Sequence, residues 1–320
     1  MRLAAFLLRR LLGLVGVLLG MSVLIFGIIH ILPGNVAYAI LGEFATPAAV
    51  AQLEAKLGLN DPLPMQYWRW LSALLQGDFG TSIVMSRPAA SLIAEALGRS
   101  AVLAALAFGL VAMGGIGLGL YGATHRGRLA DKLLTLLQFV LIAVPEFFWA
   151  ILAVLIFAAW LNLLPATGYA PLSDGVLAWG SHLLLPVLVL ASGLVAHVAR
   201  LTRSSTIEVL DSRYVLTARA RGLGERRVLW RHALPNALLP AITVLAIDAG
   251  LLIGGIVVVE TVFAYPGLGR LLVYAIERHD LPLLQVGMMV VTAIYAVANF
   301  IAELLYAVLN PRIRVAGAAA

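Results

Sequence analysis

Apolar residues fall along this chain in long unbroken blocks rather than in alternation with polar ones. The first block covers 11–32, directly after Arg9-Arg10, and others cover 101–121, 133–160, 182–198, 239–263 and 283–309. A helix needs roughly 20 apolar residues to cross the hydrocarbon core. Six blocks therefore predict an all-α integral membrane protein with six transmembrane helices. The first block is longer than a signal-peptide core of roughly 7–15 residues. Ala37-Tyr38-Ala39 imitates a cleavage site, but the length of the block and the spans after it predict a retained helix. The fourth block is the shortest and contains Pro186. In the third, Pro145 lacks an amide donor and predicts a bend.

The polar segments orient the chain. The N-terminus, 122–132, 199–236 and the tail from Asn310 hold sixteen of the 22 Lys and Arg residues, and the opposite side holds six. Positive charge marks the cytoplasmic side, so both termini are read as cytoplasmic. The resulting order is a cytoplasmic N-terminus (1–10), a first transmembrane helix (11–32) and a periplasmic segment (33–98). A five-helix core (99–309) with a cytoplasmic loop at 199–236 follows, and then a cytoplasmic tail (310–320). Within the periplasmic segment, Thr46-Pro47 reads as an N-cap and first turn of a short helix through Lys56, ended by Gly58.

Composition agrees with the blocks and removes several functions. The chain is 62% hydrophobic and 12% charged, against roughly 45–50% and 25% for soluble domains. Its net charge of +6 lies beside the apolar blocks, where it orients helices and gives no reason to expect nucleic acid. There is no cysteine, hence no disulfide or thiolate site. The two lysines, Lys56 and Lys132, follow Ala55 and Asp131, so no P-loop exists to hold a nucleotide. The six histidines show no metal-ligand spacing, and neither H-E-x-x-H nor G-x-S-x-G occurs. No catalytic residue, metal or cofactor is expected on this chain, which reads as a conduit powered from elsewhere.

The cytoplasmic loop carries the most specific signal. It reads Thr217-Ala218-Arg219-Ala220-Arg221-Gly222-Leu223-Gly224-Glu225-Arg226-Arg227, with Leu234-Pro235 further on. This resembles the Glu-Ala-Ala, three residues, Gly, nine residues, Ile, one residue, Leu-Pro signature of bacterial ABC importer permeases. Ala218, Gly222, Leu234 and Pro235 match; Leu216 and His232 stand where the signature has Glu and Ile. Other segments extend the resemblance: 58–64 leading into Gln66-Tyr67-Trp68-Arg69-Trp70, then Gly77-Asp78-Phe79-Gly80-Thr81-Ser82, the stretch Glu260 to Arg270, and Leu309-Asn310-Pro311-Arg312. Together these are similar to the first permease subunit of the dipeptide/oligopeptide/nickel ABC importers, over roughly 9–314.

That resemblance implies a type I importer permease architecture and a set of partners. These are a second related permease, two cytoplasmic ATPases that carry ATP and Mg, a periplasmic or lipid-anchored solute-binding protein, and membrane lipids. It also implies that the 217–235 loop is a helix–turn–helix whose short second helix docks on an ATPase. The residue types suit this: Ala218 and Ala220 admit a close backbone, Gly222 permits a sharp turn, and Glu225, Arg226 and Arg227 offer charged contacts. Asp248, Glu146 and Glu260 are the candidates for the solute pathway, because intramembrane carboxylates face protein or a water-filled path. For Asp248 two readings stand, a contact with a solute's cationic group or an interhelical hydrogen bond. For Glu260 the readings are structural pairing, with Arg270 as one partner, or solute contact. Tyr265, Pro266, Gly267, Gly269 and Arg270 read as a rigid outer loop at the pore mouth. Gly250, Gly254 and Gly255 predict close helix packing in the fifth span. Tyr67, Trp68 and Trp70 fit interface anchors or a binding-protein contact. The alternative to ATP-driven import is an ion-coupled carrier using Asp248 or Glu146 as a proton relay.

Overall fold

The computed structural model describes residues 2–31, 46–57 and 60–309, all helices and turns apart from one isolated bridge between Thr81 and Pro88. Ala37-Tyr38-Ala39, Gly58 and the 310–320 tail lie outside the described residues. Among the described residues, besides a short 3-10 turn at Leu172–Asp174, the helices in order are α1 (Arg2–Ile31), α2 (Pro47–Leu57), α3 (Leu63–Leu75), α4 (Ala89–Thr124), α5 (Leu129–Ala143), α6 (Glu146–Trp160), α7 (Val176–Leu210), α8 (Arg213–Ala220), α9 (Glu225–Val262), α10 (Leu268–Glu277) and α11 (Leu281–Leu309). Among the described residues five helices are long and apolar enough to cross a membrane, and α5 with α6 supply a sixth crossing if the pair counts as one. The short helix expected after Thr46 is present, and the Ala49 amide reaches Thr46 Oγ1 at 3.4 Å.

Two expectations change. The bend predicted at Pro145 is a break: the chain turns by 106° between α5 and α6. Val144 is extended, with φ −96° and ψ 130°, because a residue before proline is driven out of the helical region. Pro145 then starts the next helix, its carbonyl accepting from the Phe148 amide at 3.1 Å. The fourth span is not short. α7 runs for 35 residues with Pro186 inside it, and it continues to Leu210, so the loop expected at 199–236 begins as helix.

The chain divides into two compact units, 1–100 with 266–300 and 101–265 with 301–320. In the first, α3 packs on α1 through an aromatic cluster. The Phe26 and Tyr67 rings meet edge-on at 5.4 Å, and Tyr67 Oη lies 2.8 Å from Ser22 Oγ. Trp68 is on the opposite face, 68% exposed. Asp280, fully buried, accepts from the Ser82 hydroxyl and from the amides of Ile83, Val84 and Leu283. A core of Ala89, Leu92, Ile93 and Ala96 against Leu268, Leu283 and Leu284 completes this unit.

The second unit is built around α7, which packs on α4, α5, α6 and α9. Its core includes Leu103, Val111, Leu185, Val189, Leu190, Val198, Leu252 and Val259. Gly255, one of the glycines singled out in the fifth span, does make a close approach, against Glu146, and the seam of α4 with α7 is as tight. A Cβ on Gly254 would touch nothing within 4 Å, whereas one on Gly115 would lie 2.7 Å from Val198 Cβ and one on Gly119 2.5 Å from Thr202 Cβ. Near the same seam, Arg203 grips Asp131 with two bonds of 2.6 and 2.8 Å, and the Gly127 amide adds a third at 2.9 Å.

Candidate functional site

Two features of the second unit carry chemistry. The first is the turn after α8. Gly222 has φ +82°, a conformation that costs an L-residue roughly 1–2 kcal/mol. Its amide bonds the Arg219 carbonyl at 2.9 Å, and the next amide, Leu223, bonds the Ala218 carbonyl at 3.4 Å. This is a Schellman closure, in which a left-handed residue satisfies the last carbonyls of a helix. Gly224 then opens α9, accepting from the Arg227 and Val228 amides at 2.9 and 3.0 Å.

The turn has its own small core: Val215, Ala218 and Val228, with Val209, Leu210 and Leu223 against it. Arg219 straps the two helices together, donating to both Glu225 oxygens at 2.7 and 3.1 Å and to the Leu210 carbonyl at 3.2 Å. Glu225 raises the basicity of Arg219 above its ordinary value by accepting those bonds. Ala218 and Glu225 are therefore engaged within the loop. The outward positions are Leu216, Thr217, Ala220, Arg221, Gly224, Arg226 and Arg227. Trp230, 60% exposed, joins Arg226, Arg227 and Arg231 around a shallow basic pocket. Trp230 and Leu216 were not foreseen, since an apolar residue in a charged loop gives no signal until its exposure is known. Residues Val228–Ala233 form a wide π turn. Such a turn absorbs the missing amide and the bulk of the Pro235 ring that follows.

Alanine at Gly222 is expected to lower stability by about 1–2 kcal/mol. Alanine at Gly224, which has φ −65° and open space around it, is expected to be neutral. Thermal unfolding of the purified protein compares them, and equal melting temperatures would remove the conformational argument.

The second feature is a cavity of about 400 Å³ at the α5–α6 break, bounded by α7 and α9. Its wall includes Val144, Pro145, Glu146, Trp149, Ser192, Gly193, His197 and Gly255. A Cβ on Gly255 would stand 2.7 Å from Glu146 Oε2, so this glycine leaves the room in which the Glu146 carboxylate sits. Asp248 is not on the wall. It is 1% exposed and bonds His197 Nδ1 at 3.1 Å, and His197 does face the cavity. Glu260 is fully buried, and its carbonyl accepts from the Tyr265 amide at 2.9 Å. Glu146 and Asp248 are thus brought to one region, and Glu260 does not line it. Trp149 and His197 were missed as cavity residues because nothing local marks them. Of the outer loop, Tyr265 is buried edge-on to Tyr169 in the second unit. In the first unit Gly267 and Gly269 are buried, the Pro266 carbonyl accepts from Arg99, and Arg270 is exposed. Among the described residues no group of three His, Asp or Glu is arranged to hold a metal.

Comparison with known proteins gives this helical scaffold a family. Residues 115–315 match the family described as binding-protein-dependent transport system inner membrane component, and residues 3–100 match the corresponding N-terminal family. The chain belongs to this permease family. It is 38% identical to the dipeptide transport system permease protein DppB of Alkalihalophilus pseudofirmus, over 97% of this chain and 99% of that one. It is 36% identical to the probable peptide ABC transporter permease protein y4tP of Sinorhizobium fredii, again over 97% and 99%. The glutathione transport system permease protein GsiC of Salmonella typhimurium is 38% identical, over 97% and 98%. The permease is a multi-pass membrane protein and a transport component of the ABC importer type, and the ion-coupled alternative is not favoured.

Proposed function

We propose that this permease forms half of the pore of an ATP-driven importer for di- or oligopeptides or similarly small solutes. It pairs with a related permease in the bacterial inner membrane, with both termini in the cytoplasm. Two ATPases hydrolyse ATP and Mg stays with them; this chain contributes no catalytic residue. A solute-binding protein delivers the cargo. The observation that carries the reading is the strapped helix–turn–helix at 213–227. It projects Ala220, Arg221, Gly224, Arg226 and Arg227 while its own core and the Arg219–Glu225 strap keep it rigid. A rigid lever continuous with α9 can convert ATPase closure into helix movement, switching a shared cavity between its two openings. The peptide reading is supported by the names of the relatives, several of which are peptide permeases.

The test uses the absence of native cysteine. Gly224→Cys or Arg227→Cys, paired with cysteines on the cognate ATPase, is expected to give a specific crosslink whose yield changes with ATP. Uptake should need ATP and survive an uncoupler. No crosslink from either position, with uptake abolished by the uncoupler alone, would overturn the assignment.

A further inference from the structure

Glu146, Trp149 and Asp248 share a property that packing does not explain. Glu146 Oε1, Trp149 Nε1 and Asp248 Oδ1 are each buried without a hydrogen-bond partner. An unpaired buried polar atom keeps its full desolvation cost. Two of these side chains line one cavity, and the third lies directly behind His197, which lines it too. A donor and acceptors left open around one space describe a site whose partners come from outside the chain.

The arrangement has a length scale. Asp248 and Gly255, the seat of Glu146, are seven residues apart on α9. They therefore share a face about 10 Å apart along the axis. An extended dipeptide is about 7 Å long, and 400 Å³ is at the small end of the roughly 300–1,000 Å³ usual for ligand pockets. The rest of the wall is apolar, with Leu141, Ile142, Val189, Leu190, Leu251 and Leu252. Such a wall accepts many side chains without choosing among them. The described residues offer no metal-holding cluster, so the carboxylates point to an organic cation.

We propose that this cavity is a solute subsite selecting the ends of a short peptide. Glu146 receives its ammonium group, the Trp149 indole N–H donates to a peptide carbonyl, and His197, held by Asp248, meets the far polar end. The proposal rests on the peptide-import reading above. It goes further by placing selection inside the membrane portion of the permease, independent of the binding protein.

The test is protection of a thiol in the assembled transporter. Ser192→Cys puts a label site on the cavity wall. Maleimide labelling of this chain is followed with L-alanyl-L-alanine and with its N-acetyl form. The free dipeptide is expected to protect, and the N-acetyl form to protect roughly tenfold less, as suits the loss of a charge-assisted bond. Glu146→Gln should erase that preference and Glu146→Asp should retain part of it. Equal protection by both peptides, no protection by either, or an unchanged preference in Glu146→Gln overturns the subsite. ATP-driven uptake of the dipeptide by the same preparation is read separately. Uptake without a subsite sinks only this inference, whereas no ATP-driven uptake sinks the import reading itself.

Discussion

Valine at position 119 is expected to keep this permease from reaching its native packing, while valine at position 117 of the same helix is expected to be harmless. A Cβ on Gly119 would lie 2.6 Å from the Ala199 carbonyl oxygen and 2.5 Å from Thr202 Cβ. The first obstacle is backbone and cannot swing aside, so α4 and α7 would have to separate. Overpacking costs about 1–3 kcal/mol where neighbours can adjust, and this site sits at or beyond the upper end. Helix association in lipid has no hydrophobic drive to compensate, since it depends on close van der Waals contact between small residues. Gly117 has nothing within 4 Å and is exposed. Thermal unfolding of the detergent-purified protein separates the two variants. A Gly119→Val protein melting with the parent would show that the seam can open at no cost.

Alanine in place of Asp280 is expected to cost about 3–5 kcal/mol, because it orphans several donors at once. The carboxylate is fully buried and takes the Ser82 hydroxyl along with the amides of Ile83 at 3.2 Å, Val84 at 3.3 Å and Leu283 at 3.4 Å. It ties the 81–88 turn to the start of α11. Asparagine keeps an acceptor and should lose about half as much. Limited proteolysis reports the change directly: the alanine variant should be cut within 81–88 where the parent resists. An unaltered digestion pattern, with an unaltered melting temperature, would mean that the turn is held by something else.

What was readable in the sequence follows the range of the interactions. The apolar blocks gave the spans, because burial in lipid is decided over 20 neighbouring residues. The turn after α8 was readable too, since Gly222 lies between two helical stretches and its φ of +82° is a local demand. Ala218 shows where that stops. Its smallness suggested access for a partner, but the side chain lies in the loop's own core beside Val215 and Val228. The same holds for glycine pairs in the membrane. Gly115 and Gly119 differ from Gly254 in what α7 brings opposite them, and that depends on tertiary packing. His197 was one of six scattered histidines until a bond across 51 residues joined it to Asp248.

The elbow at Val144-Pro145 also constrains how the chain enters its membrane. Each arm is about 22 Å long and neither can cross a core of about 30 Å alone. Arms bent by 106° from a straight path, leaning equally from the membrane normal, would advance about 27 Å together. If the pair makes one crossing, the elbow rests near mid-depth, carrying Glu146 to where an ionised side chain costs about 2.5–3.5 kcal/mol to insert. The space for that carboxylate is supplied by Gly255, more than a hundred residues later in the chain. Synthesis from the N-terminus therefore delivers the acid long before its seat, and the room for Glu146 is complete only once α9 has been made.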